Sequence, residues 1–413
     1  MRCRIHRGCH EIGGNCVEVE SQGKRIILDI GLPLKSEHDT GLPDISGLTA
    51  PDGRLLGIFI SHPHTDHYGL LEKITVPVPV YMGAAAQRII NAEVNTLFTP
   101  LPSTGKAKLK IYEDKIPIHI GPFTITPYQI DHSAYDSYCL LVEAEGKRLL
   151  YSGDIRGHGR NSDLFREFIN NPPRDIDVLI CEGTQIGRNP DFAYPDENSV
   201  EDKMAEFFGE TKGMALVWCS AQNIDRLISV WRASRRAKRK LILDVYTAEI
   251  IRVTKDKNLP SPGKEGVKVF LPHSQRTRII QADAVKEVLA KYYRHRIYPE
   301  YLPGKAPTSV MLFRPSMLRD LKRAECLHGA SLVSSLWSGY LPRHKKDLDE
   351  MQNMGIRRIH IHTSGHATAD ELGHFVEAIP LSRIVPIHLE DREGFADLSS
   401  KVELRNDHEW WNA

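Results

Sequence analysis

No apolar stretch in the 413 residues approaches the roughly 20 needed to cross a membrane. The opening MRCRIHRGCHEIGG has no apolar core of the kind a secretory signal needs. Neither a membrane protein nor an exported one is expected. Neither sign of charge dominates, since 54 Lys and Arg stand against 53 Asp and Glu for a net charge of +1. A polyanion would have to be held by a local patch, because the overall field is too weak to gather it. Cysteine is sparse: seven residues, at 3, 9, 16, 139, 181, 219 and 326, form an odd, scattered set with no C-x-x-C pair. That pattern excludes a disulfide framework and points to reduced thiols in the cytoplasm. Internal repeats and low-complexity tracts are absent too, which removes solenoids and disordered arms from consideration.

What remains is an ordinary globular composition, 41% hydrophobic and 26% charged, in a chain long enough for two or three domains. CVEVE and KRIILDIG read as a hairpin of alternating strands, and RLLGIFISH as a buried strand. A helix is predicted over AAAQRIINAEVNTLF, then strands at KIPIHI, FTITPYQID, SYCLLVEAEG, KRLLYSGDI and DIDVLICEG. From about residue 195 the alternation restarts with helix SVEDKMAEFFGET, strand MALVWCS, helix NIDRLISVWRASRRAKR and strand KLILDVY. NLPSPGKEGVK is a loop, and SVMLFR, ASLVSSLWSGY, RRIHIH and SRIVPIHLE are later strands or their edges. Alternating strands and helices make this an α/β protein.

The chemistry gathers at strand ends. In HPHTDH, His62 and His64 are two apart and point to one side of an extended chain, while Asp66 and His67 follow on the turn into the next element. His132, Asp154 and His388 also stand just after apolar strands. Imidazoles and carboxylates in this number suit two divalent metals, zinc first and manganese second, held about 3.5–4 Å apart by a shared Asp154 oxygen. Such a pair generates hydroxide at neutral pH. His6, His38, His119, His295 and His374 lack this company and are read as ordinary core or surface histidines.

HPHTDH, preceded by LDIG and followed by His132 and Asp154, resembles the metallo-β-lactamase signature. Glu182 in CEGT, His366 in HTSGHA and His388 in PIHLE resemble motifs A, B and C of its β-CASP branch, which handles nucleic acids. The resemblance covers nearly all of the chain. It implies a four-layer αβ/βα metallo-β-lactamase sandwich formed by residues 1–194 and 356–413, with an inserted α/β β-CASP domain over 195–355. Histidine at motif C accompanies the RNA-directed members, of the RNase J and messenger-RNA 3′-end-processing kinds, so RNA is the expected nucleic-acid partner. Gln222 in CSAQN, where a phosphate-holding loop would carry serine, and a length too short for a further C-terminal domain set the chain apart from the 5′-exonucleolytic members. An endonuclease is expected. A homodimer or a partner protein is compatible with this reading.

The resemblance also distributes roles. His62, His64, His132 and Asp154 would bind one metal, and Asp66, His67, Asp154 and His388 the other. A bridging hydroxide, oriented by Asp66, would attack phosphorus in line, and the metals would neutralise the phosphate oxygens. His366, kept charged by Glu182, is the candidate acid or clamp. Asp29 would orient the ligands from behind. Thr363 and Ser364 could donate to substrate phosphate, and Arg156 and His158 could line the cleft. The run WRASRRAKRK at 231–240 could bind phosphates, although a solvated helix face explains it as well. The two parts are expected to face each other across a groove. Other functions compatible with the residues are a DNA nuclease or small phosphodiester hydrolase, and a catalytically silent nucleic-acid-binding subunit of a larger assembly.

Overall fold

The strand Ser137–Ala144 shows how the chain is layered. Tyr138, Leu140, Val142 and Ala144 lie in one buried cluster, and Cys139 and Leu141 in another, as the two-residue period of a strand requires. A strand apolar on both faces must be covered on both, so its sheet is an inner layer.

The computed structural model describes residues 1–34, 40–91, 104–188 and 193–413. The helix expected from Ala84 runs Ala84–Ile90; its continuation through 92–98, and His38, lie outside the described residues. The chain divides into two compact units, the first drawn from 1–91, 101–190 and 365–413, and the second, among the described residues, from 193–364.

In the first unit a seven-stranded sheet runs in the order Trp410–Asn412, Arg2–Arg7, Cys16–Ser21, Lys24–Leu28, Leu55–Phe59, Pro79–Gly83, Lys108–Tyr112. A six-stranded sheet runs Leu381–Ile387, Ile176–Glu182, Lys147–Tyr151, Ser137–Ala144, Phe123–Ile130, Ile118–Ile120. Ile5, Val17, Val19, Ile26 and Phe59 of the first sheet share one cluster with Ile125, Leu140, Val142, Leu149, Val178 and Val385 of the second, so the sheets pack face to face. On the outer face of the first sheet, Ile27, Ile58, Val80 and Met82 meet Tyr68, Leu70, Ala86 and Ile90. On the outer face of the second, Leu141, Leu150, Leu179 and Ile384 meet Phe165, Phe168, Leu372 and Phe375 from helices Ser162–Asn170 and Ala369–Ala378. The layers are therefore helix, sheet, sheet, helix. Strands Arg2–Arg7, Pro79–Gly83 and Lys108–Tyr112, and those two helices, are additions to the elements read from the sequence.

The second unit is built on one parallel sheet, ordered Arg296–Ile297, Lys268–Phe270, Lys240–Asp244, Ser309–Leu312, Ala215–Trp218, Ser331–Ser334, Arg357–His360. Helix Glu197–Glu210 opens on an Asp196 and Ser199 capping box, and Asn223 caps helix Ile224–Arg236 by accepting from the Arg226 N–H. All seven cysteines are free and buried. Among the described residues no helix is long and apolar enough to cross a membrane.

Candidate metal centre

The HPHTDH loop is fixed by Asn15 and by the chain segment after strand Lys24–Leu28. Asn15 N–H donates to the Asp66 carbonyl, Ile30 N–H to that of His67, and Leu32 N–H to that of Thr65. Gly31 makes this approach feasible: a Cβ there would lie 1.7 Å from the Asp66 carbonyl oxygen. Within the six-stranded sheet, register aligns Tyr151 with Ile180 and Glu182 with Ile387. The loops carrying Asp154, Glu182 and His388 therefore leave the sheet side by side. Asp29 and His388 each take a left-handed backbone, φ 56° and 59°, directly after a strand.

These loops bring the seven expected ligands together. One ligand atom each from His62, His64, His132 and Asp154 lies within 4.8 Å of the others, and the same is true of Asp66, His67 and His388. A third group, Asp154, His366 and His388, meets the same limit. Asp154 Oδ2 is central: it stands 3.6 Å from His62 Nε2, 3.9 Å from His132 Nε2 and 3.1 Å from His67 Nε2. His64 Nδ1 is 3.3 Å from His132 Nε2, and His388 Nε2 is 3.8 Å from Asp66 Oδ2.

Behind the ligands lies a connected set of buried hydrogen bonds. Asp29 Oδ2 accepts from His67 Nδ1, Ser61 Oγ and Tyr151 OH, each at 2.7 Å, while Oδ1 accepts the Ser61 N–H at 2.7 Å. Asn15 Oδ1 accepts from His388 Nδ1 at 2.9 Å. Each of these bonds holds a ring so that its other nitrogen faces the cluster. Ser61, Asn15 and Tyr151 escaped sequence reading: Ser61 adjoins the histidine motif, but Asn15 and Tyr151 carry no local signal.

Electrostatics divide the histidines into two sets. Burial, followed by the neighbouring imidazoles, drives His62, His132 and His388 well below the usual histidine value, and burial pushes His64 down to about 4. They are neutral at physiological pH, with a lone pair to offer. Burial also presses on His67 and His366, but carboxylates outweigh it: Asp154 and Asp29 hold His67 well above the usual value, and Glu182 and Asp154 raise His366. Burial raises Asp154 despite His67 and His366. His62 Nε2, His67 Nε2, His388 Nε2 and both Asp154 oxygens are buried with no hydrogen-bond partner among the described residues, although His67 and Asp154 lie within ion-pair reach. Converging acceptor atoms with no protein donor to satisfy them fit divalent cations.

Glu182 is wholly buried and ringed by donors: Ile155 N–H at 2.8 Å, Thr184 N–H at 3.2 Å, Thr184 Oγ1 at 2.6 Å and His366 Nδ1 at 3.2 Å. His366 Nδ1 also stands 3.7 Å from Asp154 Oδ2. Arg156 is fully buried within ion-pair reach of Asp131, and His158 bonds Glu371, so neither has its polar group directed to solvent. Thr363 belongs to the second unit and is wholly buried, its carbonyl accepting from Arg226; Ser364, in the same unit, is nearly so. In the basic run, Arg235 pairs with Glu265, Arg236 with Glu201 and Asp202, and Arg239 binds backbone carbonyls of Gly213 and Ser309.

Residues 45–199 match the beta-lactamase superfamily domain. Ribonuclease J of Helicobacter pylori (strain ATCC 700392 / 26695) is 24% identical over 406 residues, covering 92% of this chain and 55% of that protein. Ribonuclease J of Sinorhizobium meliloti is 24% identical over 402 residues, covering 92% of this chain and 65% of the relative. The chain thus spans little more than half to two thirds of the length of the curated relatives it matches. A crystal structure of a protein of unknown function from Enterococcus faecalis V583 shares the fold, with a TM-score of 0.81, 19% identity and 99% coverage of both chains. Layered sheets and this histidine cluster define a metallo-β-lactamase-fold protein. Along most of its length the chain is similar to the ribonuclease J proteins.

Proposed function

We propose that this chain is a metal-dependent phosphodiester hydrolase of nucleic acid that cuts RNA internally. The observation that carries the reading is the convergence of four neutral histidines with Asp66, His67 and the shared Asp154, beside the His366 and Glu182 pair. Likeness to ribonuclease J along most of the chain, and His388 among the ligand candidates, support RNA over DNA.

His62, His64, His132 and Asp154 would hold one ion, and Asp66, His67, His388 and Asp154 a second, with zinc preferred and manganese next. Bound there, divalent ions would supply Lewis acidity toward phosphate oxygens and acidify water. Asp29 Oδ2 accepts a hydrogen bond from His67 Nδ1, and Asn15 Oδ1 one from His388 Nδ1, so each ring presents Nε2 to the cluster. Asp66 is the less buried of the two carboxylates and is placed to orient an attacking water. His366 donates through Nδ1 to Glu182 and keeps a second proton on Nε2, which it can deliver to the leaving oxygen.

The test pairs metal analysis of the purified protein with digestion of RNA labelled at either end and of DNA of the same sequence. About two equivalents of zinc or manganese, internal cuts seen from both labels, and faster cleavage of RNA are expected. An active preparation free of metal would overturn the site, and equal cleavage of DNA would shift the substrate.

A further inference from the structure

The second unit presents an aromatic pair that the metal centre does not explain. Directly after strand Ser331–Ser334, Trp337 and Tyr340 meet edge to face with ring centroids 5.4 Å apart, and they are 42% and 40% exposed. Large aromatic faces held this open carry a solvation penalty unless something covers them. The pair is held in place by its surroundings. A Cβ on Gly339 would lie 2.4 Å from the Trp337 ring, so the indole rests against the Gly339 backbone. Leu336 and Leu341 pack against the unit's core on either side, and His344 stands edge-on to Trp218, 5.0 Å away at the end of strand Ala215–Trp218.

Charge follows the pair along the chain, and Tyr340 and Arg343, three apart in the 3-10 helix Ser338–His344, share one of its faces. Arg343, Lys345 and Lys346 follow at once, all exposed and none in an ion pair among the described residues, while Asp347 lies 3.8 Å from His344. Three cations within four residues contrast with the 231–240 run, where Arg235 and Arg236 are paired with acids. The segment also leaves the C-terminal edge of a parallel sheet, where open α/β sheets bind ligands.

We propose that Trp337 and Tyr340 form a stacking platform for the bases of a single-stranded polynucleotide whose phosphates are held by Arg343, Lys345 and Lys346. Rigid aromatic faces beside uncompensated cations recognise such a strand without regard to sequence. A protein partner fits less well, since lysine is depleted at the centres of protein interfaces. The proposal rests on the nucleic-acid reading for its choice of ligand, and it adds a binding site outside the ligand cluster.

The test uses the intact protein and a 2′-O-methyl oligouridylate of about twelve nucleotides, which binds without being cut. Five tryptophans contribute fluorescence, so the signal is assigned by difference. The strand should quench wild-type emission; Trp337→Ala should lose that component and bind about tenfold more weakly, and Trp337→Phe should recover most of the affinity. Inorganic polyphosphate, which carries charge but no bases, should bind wild type and Trp337→Ala alike. Replacing Arg343, Lys345 and Lys346 by Ala should flatten the log–log salt dependence by about 2, at roughly 0.7 per phosphate contact. Hydrolysis of bis(4-nitrophenyl) phosphate should be unchanged in Trp337→Ala. Equal strand affinity in wild type and Trp337→Ala, or an equal loss toward polyphosphate, would overturn the platform. A wild-type protein that binds the strand through Trp337 but cuts no RNA would instead refute the hydrolase reading and leave the platform standing.

Discussion

Replacing Glu182 by Gln isolates the proposed proton donor from the ligands. The carboxylate receives only donors: Ile155 N–H on one oxygen, Thr184 N–H and Oγ1 on the other, and His366 Nδ1 between them. A Gln side chain must turn its NH2 toward one of these groups. With the amide oxygen kept on Ile155 N–H, the Thr184 hydroxyl can rotate to accept, but the Thr184 N–H loses its acceptor, at about 1–3 kcal/mol for a buried donor. The fold should survive this. Chemistry should suffer more, because burial lowers the His366 pKa and the adjacent Glu182 charge is the largest influence raising it. His366 acts as an acid only while protonated, so activity falls as pH rises through its pKa. With Glu182→Gln that pKa drops, and the fall must begin at lower pH. We expect single-turnover cleavage at neutral pH to slow by about 10²–10³-fold, which corresponds to roughly 2.7–4 kcal/mol in the barrier. Metal content should stay at the wild-type value, because Glu182 belongs to none of the three ligand groups. Cleavage rates from about pH 5 to 9, with metal analysis of the same samples, decide the matter. An alkaline limb that stays in place, or metal lost in parallel with rate, would refute the assignment of His366 as an acid tuned by Glu182.

Three further outcomes are expected. Asp154→Ala, which removes the oxygen nearest His62, His67 and His132, should lower bound metal and activity together, whereas His64→Ala should weaken mainly one ion; metal analysis that finds both variants fully loaded would contradict the shared ligand. Glu18 is buried, and although burial raises its pKa, hydrogen bonds from His6, Arg4 and Arg25 bring it down to about 2. Its contribution, on the order of 3 kcal/mol, is complete above the unfolded-state value near 4.5 and is lost as pH falls toward about 2; Glu18→Gln should therefore be less stable than wild type at pH 7, with the difference shrinking in acid melts, and a pH-independent difference would count against the network. Arg235→Ala and Arg236→Ala should leave the salt dependence of RNA binding unchanged, since both arginines already face carboxylates, and a flatter slope would make the 231–240 run a phosphate contact after all.

Sequence by itself determined the α/β alternation, the strand ends that carry His62, His132, Asp154 and His388, and a donor set that suits divalent metal. Spacing is a local property: a period of two shows which strand faces are apolar, and HPHTDH crowds its donors within a few residues, so both survive reading in one dimension. How closely the donors converge, and what stands behind them, only the tertiary structure decided. Asp29 and Tyr151 lie 122 residues apart and Asn15 and His388 lie 373 apart, yet each pair shares a buried hydrogen bond behind the cluster. Nothing near Asn15 in sequence announces this, because its partner arrives with the chain's return after the second unit. Thr363 and Arg156 passed as surface candidates for the converse reason: hydroxyl and guanidinium groups signal solvent in a sequence, and burial beside Arg226 or Asp131 depends on distant elements. The charge run at 231–240 and the quieter one at 343–346 differ in the same way. Composition counts cations, but only the fold places Glu201, Asp202 and Glu265 against the first and leaves the second exposed.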